Sequence, residues 1–278
     1  MSNVLFIMRI ALLLRHNHKQ IELPANINHP TSSMIYEVLK RSSKDYSSKL
    51  HEEGYRLSNK TFKLFTFSPL TPLPSRKWTT IDNGIMTTGS RQLRLIISSA
   101  KNEFMTLFLK GLFTNKTVTI SDIRFSAEIM AIYDSPEITN NMSFIPLSPI
   151  VCSRKNDKSN KEEYVLHDDK GFESLVFKNL CEKYEVLYGK PYSSGKKKFK
   201  ITFDKPYLKR QKKADVSVQK LRTIKEGTDG ETRIKGTLAP FRIQAPKKLI
   251  QIGYDCGFGK ENSQGFGMVK VDTTFDRK

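Results

Sequence analysis

The order of elements in this sequence predicts an α+β protein of two tandem βαββαβ units, each a four-stranded antiparallel sheet with two helices on one face. Three observations carry that expectation. Alternating apolar runs such as Thr61-Phe62-Lys63-Leu64-Phe65-Thr66-Phe67 stand between segments whose apolar residues recur at helical spacing. A polar stretch, Asp134 to Asn141, with Pro136 and paired Asn, separates two runs with the same order of elements. The 278 residues suffice for two modest cores.

The chain opens on the apolar run Val4 to Leu14. Arg9 interrupts it, and Arg15-His16-Asn17-His18-Lys19 follows where a signal peptide would carry small residues. It is also too short to span a bilayer, so it reads as a buried first strand. Leu23-Pro24 to Pro30 reads as a loop. Thr31 to Leu50 carries Ile35, Val38, Leu39, Tyr46 and Leu50 at helical spacing, but Arg41-Ser42-Ser43-Lys44-Asp45 interrupts it. Serine before charged residues is N-cap chemistry, which predicts two short helices with a turn near Ser42 and Ser43. Gly54 ends the second.

Strands over Thr61 to Phe67 and Arg94 to Ser99 follow, then a helix marked by Phe104, Leu107, Phe108 and Leu112, and β-rich sequence from Thr117 to Ile132. This is the order of a split βαβ, or ferredoxin-like (RRM-like), unit over residues 1–134. In residues 142–278 the order returns. It begins with a strand from Ser143 to Cys152 and a helix from about Gly171 to Tyr188, with Phe172, Val176, Leu180, Tyr184 and Leu187 on one face. A basic hairpin of Lys196 to Phe203 and Val216 to Ile224 is expected next. Strand material from Thr232 to Ile243, a short helix from Pro246 to Ile252 and a strand from Phe266 to Val271 close the unit.

Composition narrows the partner. A net charge of +19 points to a polyanion, because Lys and Arg that neutralise phosphates gain from released counterions. Nucleic acid is expected, and a membrane partner is not. Cys152, Cys181 and Cys256 are far apart, with no Cys-x-x-Cys and no His at metal-ligand spacing. They read as reduced, buried small hydrophobes of a cytoplasmic protein. The acidic pairs Asp168-Asp169 and Glu52-Glu53 do not form a two-metal nuclease pattern, and no metal is expected.

The densest positive stretch is Lys196 to Lys213. Lys198 and Lys200 alternate with Phe199, Ile201 and Phe203, so a strand there packs one face and presents charge on the other. Tyr207, Lys209 and Arg210 extend it. The expected role is to grip a phosphate backbone.

Near the end of the chain, Gly257-Phe258-Gly259 and Gly265-Phe266-Gly267 flank Lys260-Glu261-Asn262-Ser263-Gln264. Glycine accepts positive φ and leaves no Cβ in the way, so this loop is expected to lay backbone N–H groups against a phosphate or base, with Lys260 beside them. No Gly-Lys-Ser/Thr follows and the loop opens onto a strand, which sets aside P-loop NTPases and dinucleotide binders. The stretch, with Met268-Val269-Lys270-Val271 behind it, resembles the C-terminal glycine-rich signature of the RAMP superfamily. In particular it resembles that of the CRISPR-associated endoribonuclease that cuts precursor CRISPR RNA within its repeats. Phe65-Thr66-Phe67-Ser68 and Pro146-Leu147-Ser148-Pro149-Ile150 also resemble that family.

The resemblance implies a site of Tyr36, His51 and Lys63, with Arg56 and Lys60 as alternative cations. It implies metal-independent cleavage by the ribose 2′-OH, giving a 2′,3′-cyclic phosphate and a 5′-OH. No cofactor is needed for that chemistry, and the partner is CRISPR repeat RNA. A place in an effector complex and a homodimer stay open, as does a catalytically silent RAMP-type subunit that only holds RNA. Along one straight helix Tyr36 and His51 would stand about 22 Å apart, so a shared site requires the break near Ser43. A histidine near a helix C-terminus is held toward its protonated form, which favours a general-acid role for His51. His16 and His18 are the rival pair. His29 and His167, in polar loops, carry little signal.

Overall fold

The computed structural model describes residues 8–74, 77–81, 84–155, 162–193 and 199–274. The first strand, β1 (Arg9–Arg15), is apolar on both faces for a reason visible in its neighbours. Ile10, Leu12 and Leu14 point into the helix-covered core, whereas Ala11 joins Ile96 and Met268 on the opposite face. The part of the expected strand before Met8 lies outside the described residues. After β2 (Ile21–Pro24) come α1 (Asn28–Ser42), α2 (Lys44–Glu52) and a short hairpin of β3 (Tyr55–Leu57) and β4 (Lys60–Phe62). The strands β5 (Phe65–Phe67), β6 (Thr71–Leu73), β7 (Thr79–Ile81), β8 (Ile85–Thr88) and β9 (Gln92–Ser99) lead to α3 (Asn102–Thr114). The pair β10 (Thr117–Ile120) and β11 (Ile123–Tyr133) closes the half.

The first sheet runs β10-β11-β1-β9-β5, with β6 also pairing to β9, and every pair is antiparallel. Three expectations are corrected here. The strand over Thr61 to Phe67 is two strands, because Leu64 takes φ 54° and turns the chain between them. The helix begins at Asn28, before Pro30, since proline is tolerated in a first turn whose N–H groups have no helical acceptor. That places His29 on a helix.

The second half carries β12 (Asn141–Pro146), the hairpin β13 (Ser153–Lys155) and β14 (Glu162–Tyr164), α4 (Phe172–Tyr188), β15 (Lys200–Phe203) and α5 (Lys205–Lys213). Then follow β16 (Gln219–Ile224), β17 (Thr232–Thr237), β18 (Phe241–Gln244), α6 (Lys247–Cys256) and, after the glycine-rich loop, β19 (Val269–Val271). Its sheet runs β15-β18-β12-β19. Number the four sheet strands of each βαββαβ repeat in chain order, and both sheets read 4-1-3-2, so the two halves are ferredoxin-like.

The expected basic hairpin does not form. Lys200–Phe203 pairs with β18, Gln219–Ile224 pairs with β17, and a helix lies between them. Asp204 caps that helix by accepting from the Tyr207 N–H at 2.8 Å, with Pro206 in its first turn.

The halves share their interiors. Phe62 and Leu64, from the first half, belong to the core of the second, beside Phe172, Leu180 and Phe258. Arg9 on β1 is buried and reaches across: its guanidinium lies 3.7 Å from the centroid of the Tyr254 ring and donates to the Val269 carbonyl at 2.8 Å and to the Tyr254 carbonyl. Cys152 and Cys256 are buried and Cys181 half-buried, all three unbridged. Among the described residues, no helix is long and apolar enough to cross a membrane.

Candidate active site

Ser43 sets the geometry. Its extended backbone breaks the helix, its N–H closes α1 on the Leu39 carbonyl at 2.9 Å, and its hydroxyl caps α2 by accepting from Tyr46 N–H at 3.2 Å. The second helix folds back along the first. Ser47 Oγ donates to the Tyr36 carbonyl at 2.9 Å and fixes the return. Tyr36 and His51 thereby meet edge to face, with ring centroids 4.9 Å apart and planes at 89°. Tyr36 also packs against Phe65. Burial raises the Tyr36 phenol well above its ordinary value, so it stays protonated.

Lys63 lies at the end of α2. Its ammonium donates to the carbonyls of Leu50 and His51, the latter at 2.7 Å, and so caps the carbonyl end of the helix that carries His51. Burial lowers its pKa. Two of its three donors are engaged in holding His51; the third and the charge remain.

The three residues line a cleft of about 330 Å³ together with His29, Ser32, Ser33, Glu37 and Lys40 from one stripe of α1, Ser47, Ser48 and Glu52 from α2, and Ser263 and Gln264 from the glycine-rich loop. The loop is pinned there: Asn28 Nδ2 donates to the Gln264 carbonyl at 2.6 Å and Ser32 Oγ to the Ser263 carbonyl at 2.7 Å. An adjoining cavity of about 360 Å³ shares Lys63 and Ser263 and continues past Lys60 and Lys260.

The glycines serve the loop's own construction. Gly257, Gly259, Gly265 and Gly267 all have positive φ and are buried, and a Cβ on Gly267 would stand 2.0 Å from the Phe258 carbonyl oxygen. The N–H groups of Phe258, Lys260, Gln264, Gly265 and Gly267 are donated to backbone carbonyls inside the protein. Against the expectation of amides laid on a phosphate, these five are spent internally. Lys260 is likewise engaged, donating to Ser153 Oγ at 2.7 Å and Glu162 Oε1 at 2.9 Å.

At the loop's centre is a residue the sequence reading missed. Lys183, only 2% exposed, donates from Nζ to the carbonyls of Gly257 (2.6 Å) and Gly259 (2.9 Å) and to Asn262 Oδ1 (2.7 Å). Asn262 Nδ2 in turn holds the carbonyl of Phe266 at 3.0 Å. Burial pushes the Lys183 ammonium down to about 8, with Cys256, Cys152 and Glu182 opposing. The signal was its position three residues after Leu180, on the apolar stripe of α4.

The other expected contacts lie elsewhere. Lys200, Lys209 and Arg210 are exposed on β15 and α5; Lys198 lies outside the described residues. Lys60 pairs with Glu182, and Arg56 is exposed. His16 and His18 stack on each other at 4.6 Å beyond the end of β1 and are not among the residues lining the cleft. Among the described residues no three His, Cys, Asp or Glu side chains cluster as a metal site would require.

Comparison with known proteins shows the family. Residues 22–130 match the family model for the N-terminal part of the CRISPR-associated protein Cas6, and residues 133–271 match the model for its C-terminal part. The chain is 28% identical to the CRISPR-associated endoribonuclease Cas6 1 of Methanocaldococcus jannaschii over 94% of its own length and 92% of the relative's. It is 27% identical to the Cas6 endoribonuclease of Pyrococcus furiosus, covering 95% and 89%. Among solved structures, a Cas6-related protein of P. furiosus superposes with a TM-score of 0.74 at 25% identity, covering 96% of this chain and 98% of that one. A further CRISPR-associated Cas6 structure gives 0.67 at 26%, covering 95% and 99%. With both family models matched in order over nearly the whole chain, and the glycine-rich loop seated against α1, this chain belongs to the Cas6 family.

Proposed function

We propose that this chain is an endoribonuclease of CRISPR defence that cuts precursor CRISPR RNA within its repeats, in the cytoplasm and without a metal. The ribose 2′-OH attacks the adjacent phosphate, and the products carry a 2′,3′-cyclic phosphate and a 5′-OH. The observation that carries this reading is the Tyr36–His51 pair, held at 4.9 Å by the break at Ser43 and facing a cleft walled by the glycine-rich loop. Its relatives in M. jannaschii and P. furiosus are named CRISPR-associated endoribonucleases.

RNA supplies its own nucleophile, so the protein has to manage protons and charge. His51 protonates the departing 5′ oxygen, Tyr36 donates a hydrogen bond to a phosphate oxygen, and Lys63 stabilises the charge that gathers on phosphorus. Residues 1–134 then carry the chemistry and residues 142–278 the grip. Lys200, Lys209 and Arg210, exposed on β15 and α5, contact the phosphate backbone of the repeat.

The test is incubation of the purified protein with labelled repeat RNA in EDTA, alongside His51→Ala and a substrate with hydrogen in place of the 2′-OH at the cut. Cleavage should persist in EDTA, stop with the 2′-deoxy substrate, and slow by about 10²–10⁴-fold in His51→Ala with RNA binding retained. RNA bound tightly but left whole by the wild type would assign the chain to an RNA-holding role. The double variant Lys209→Ala/Arg210→Ala should weaken binding alike across RNA sequences and flatten the salt dependence by about 0.7 per lost contact to single-stranded RNA.

A further inference from the structure

His29 is unexplained by the roles above. It sits in the first turn of α1, seven residues before Tyr36 and on the same stripe of the helix, about 10 Å along the axis. It lines the cleft that Tyr36 and His51 line. Its Nδ1 is buried without a well-aligned hydrogen bond, and so is the Oε1 of Gln264, the side chain placed to bond the ring. Nδ1 is closed to the cleft, so the ring meets a ligand there through its other edge, the one that carries Nε2.

The two histidines occupy opposite helix poles. His29 is at the amide pole of α1, a 15-residue helix with no acidic residue in its own first turn and no side-chain cap. His51 is in the last turn of α2, whose carbonyl end the Lys63 ammonium caps. A histidine kept neutral is suited to accept a proton.

Facing His29 are Lys225 from the turn after β16, His51 from α2 and Gln264 from the glycine-rich loop. Burial is the largest influence and lowers its pKa, Lys225 and His51 lower it further, and hydrogen bonding to the Gln264 side chain opposes them. The β16–β17 turn is tied to this corner: Asn26, just before α1, pairs with Glu226 and accepts from the Thr223 N–H at 3.2 Å. The hairpin of the other half thereby brings Lys225 beside His29 and the Glu226 carboxylate onto Asn26.

We infer that His29 is a second catalytic residue of this site, the general base that takes the proton of the attacking 2′-OH while His51 acts as the acid. The inference rests on the proposed cleavage reaction. A neutral His29 nitrogen accepts the 2′-OH proton as the O2′–P bond forms; the P–O5′ bond breaks, and the proton of His51 passes to O5′. His29 ends protonated and His51 neutral, and exchange with solvent restores both. No oxidant, metal or cofactor enters the balance.

The experiment uses the full chain, repeat RNA, and the same RNA with sulfur in place of the 5′ oxygen at the cut. A thiolate leaves without protonation, so it bypasses the acid and leaves the need for a base. His29→Ala and His29→Gln should each slow single-turnover cleavage of the oxygen substrate about 10²-fold or more with RNA affinity retained, and the sulfur substrate should rescue neither. The same substrate should restore His51→Ala toward the wild-type rate. Wild-type rates in His29→Gln, or rescue of the His29 variants by sulfur, overturn the base assignment while the cleavage reading stands. A wild-type protein that leaves both RNAs whole sinks the cleavage reading itself, and this inference with it.

Discussion

The helix after the first strand of each ferredoxin-like half occupies the same topological place, and the two have opposite designs. In the first half it is broken at Ser43 into α1 and α2, which exposes His51 and folds it onto Tyr36. In the second half, α4 runs unbroken for 17 residues from Phe172 to Tyr188 and turns a lysine inward, where three acceptors of the glycine-rich loop receive it. One helix makes a cleft, and the other anchors the loop that walls it. A shared fold sets where the helices lie; one capping serine and one buried amine decide what each does with that place.

The sharpest way to test the contrast is to remove one residue from each side. His51→Ala should lower the single-turnover rate by about 10²–10⁴-fold with unfolding unchanged. Lys183→Met should act in the other direction: three buried acceptors lose their donor, so urea unfolding should report a loss on the order of 3 kcal/mol. A Lys183→Met protein as stable as wild type but inactive at saturating RNA would place α4 in the chemistry and break the comparison.

Titration sharpens it further. Lys183 moves from 10.5 to about 8 on folding, so between those pH values the unfolded chain binds the proton more tightly. Its contribution therefore makes stability rise with pH across that window, by at most about 3 kcal/mol at about 1.4 kcal/mol per unit. Comparing the stability–pH curves of wild type and Lys183→Met isolates it; parallel curves between pH 8 and 10.5 would refute the assignment.

The smallest effect belongs to the break. Ser43→Ala removes the α2 cap and should cost about 1 kcal/mol, while Ser43→Gly should cost only a few tenths. If the two substitutions prove equally harmful in thermal melts, the hydroxyl is not what holds the turn.

Much of this was legible before folding was considered. Ser42-Ser43 ahead of Lys44-Asp45 is a local capping signal, and the break lies there because capping is decided within a few residues. The apolar stripe of α4 was readable in the same way. The basic hairpin was misread because β15 finds its partner in β18, some forty residues on, and local alternation says nothing about which strand will pair. His29 was read as part of a loop running through Pro30, although proline in a first turn is an accepted helix residue.

The sequence by itself determined the two βαββαβ runs, the break between Tyr36 and His51, and the excess of positive charge. All three follow from short-range spacing and composition. Only the tertiary structure decided that the glycines face inward, that Lys183 and Asn262 tie the loop together, and that Ser263, Gln264 and His29 join the cleft of His51. Those contacts join residues more than seventy positions apart in the loop's anchor and more than two hundred apart where the loop meets α1. No local pattern encodes such a contact, because the free energy that selects it comes from burying two distant surfaces together.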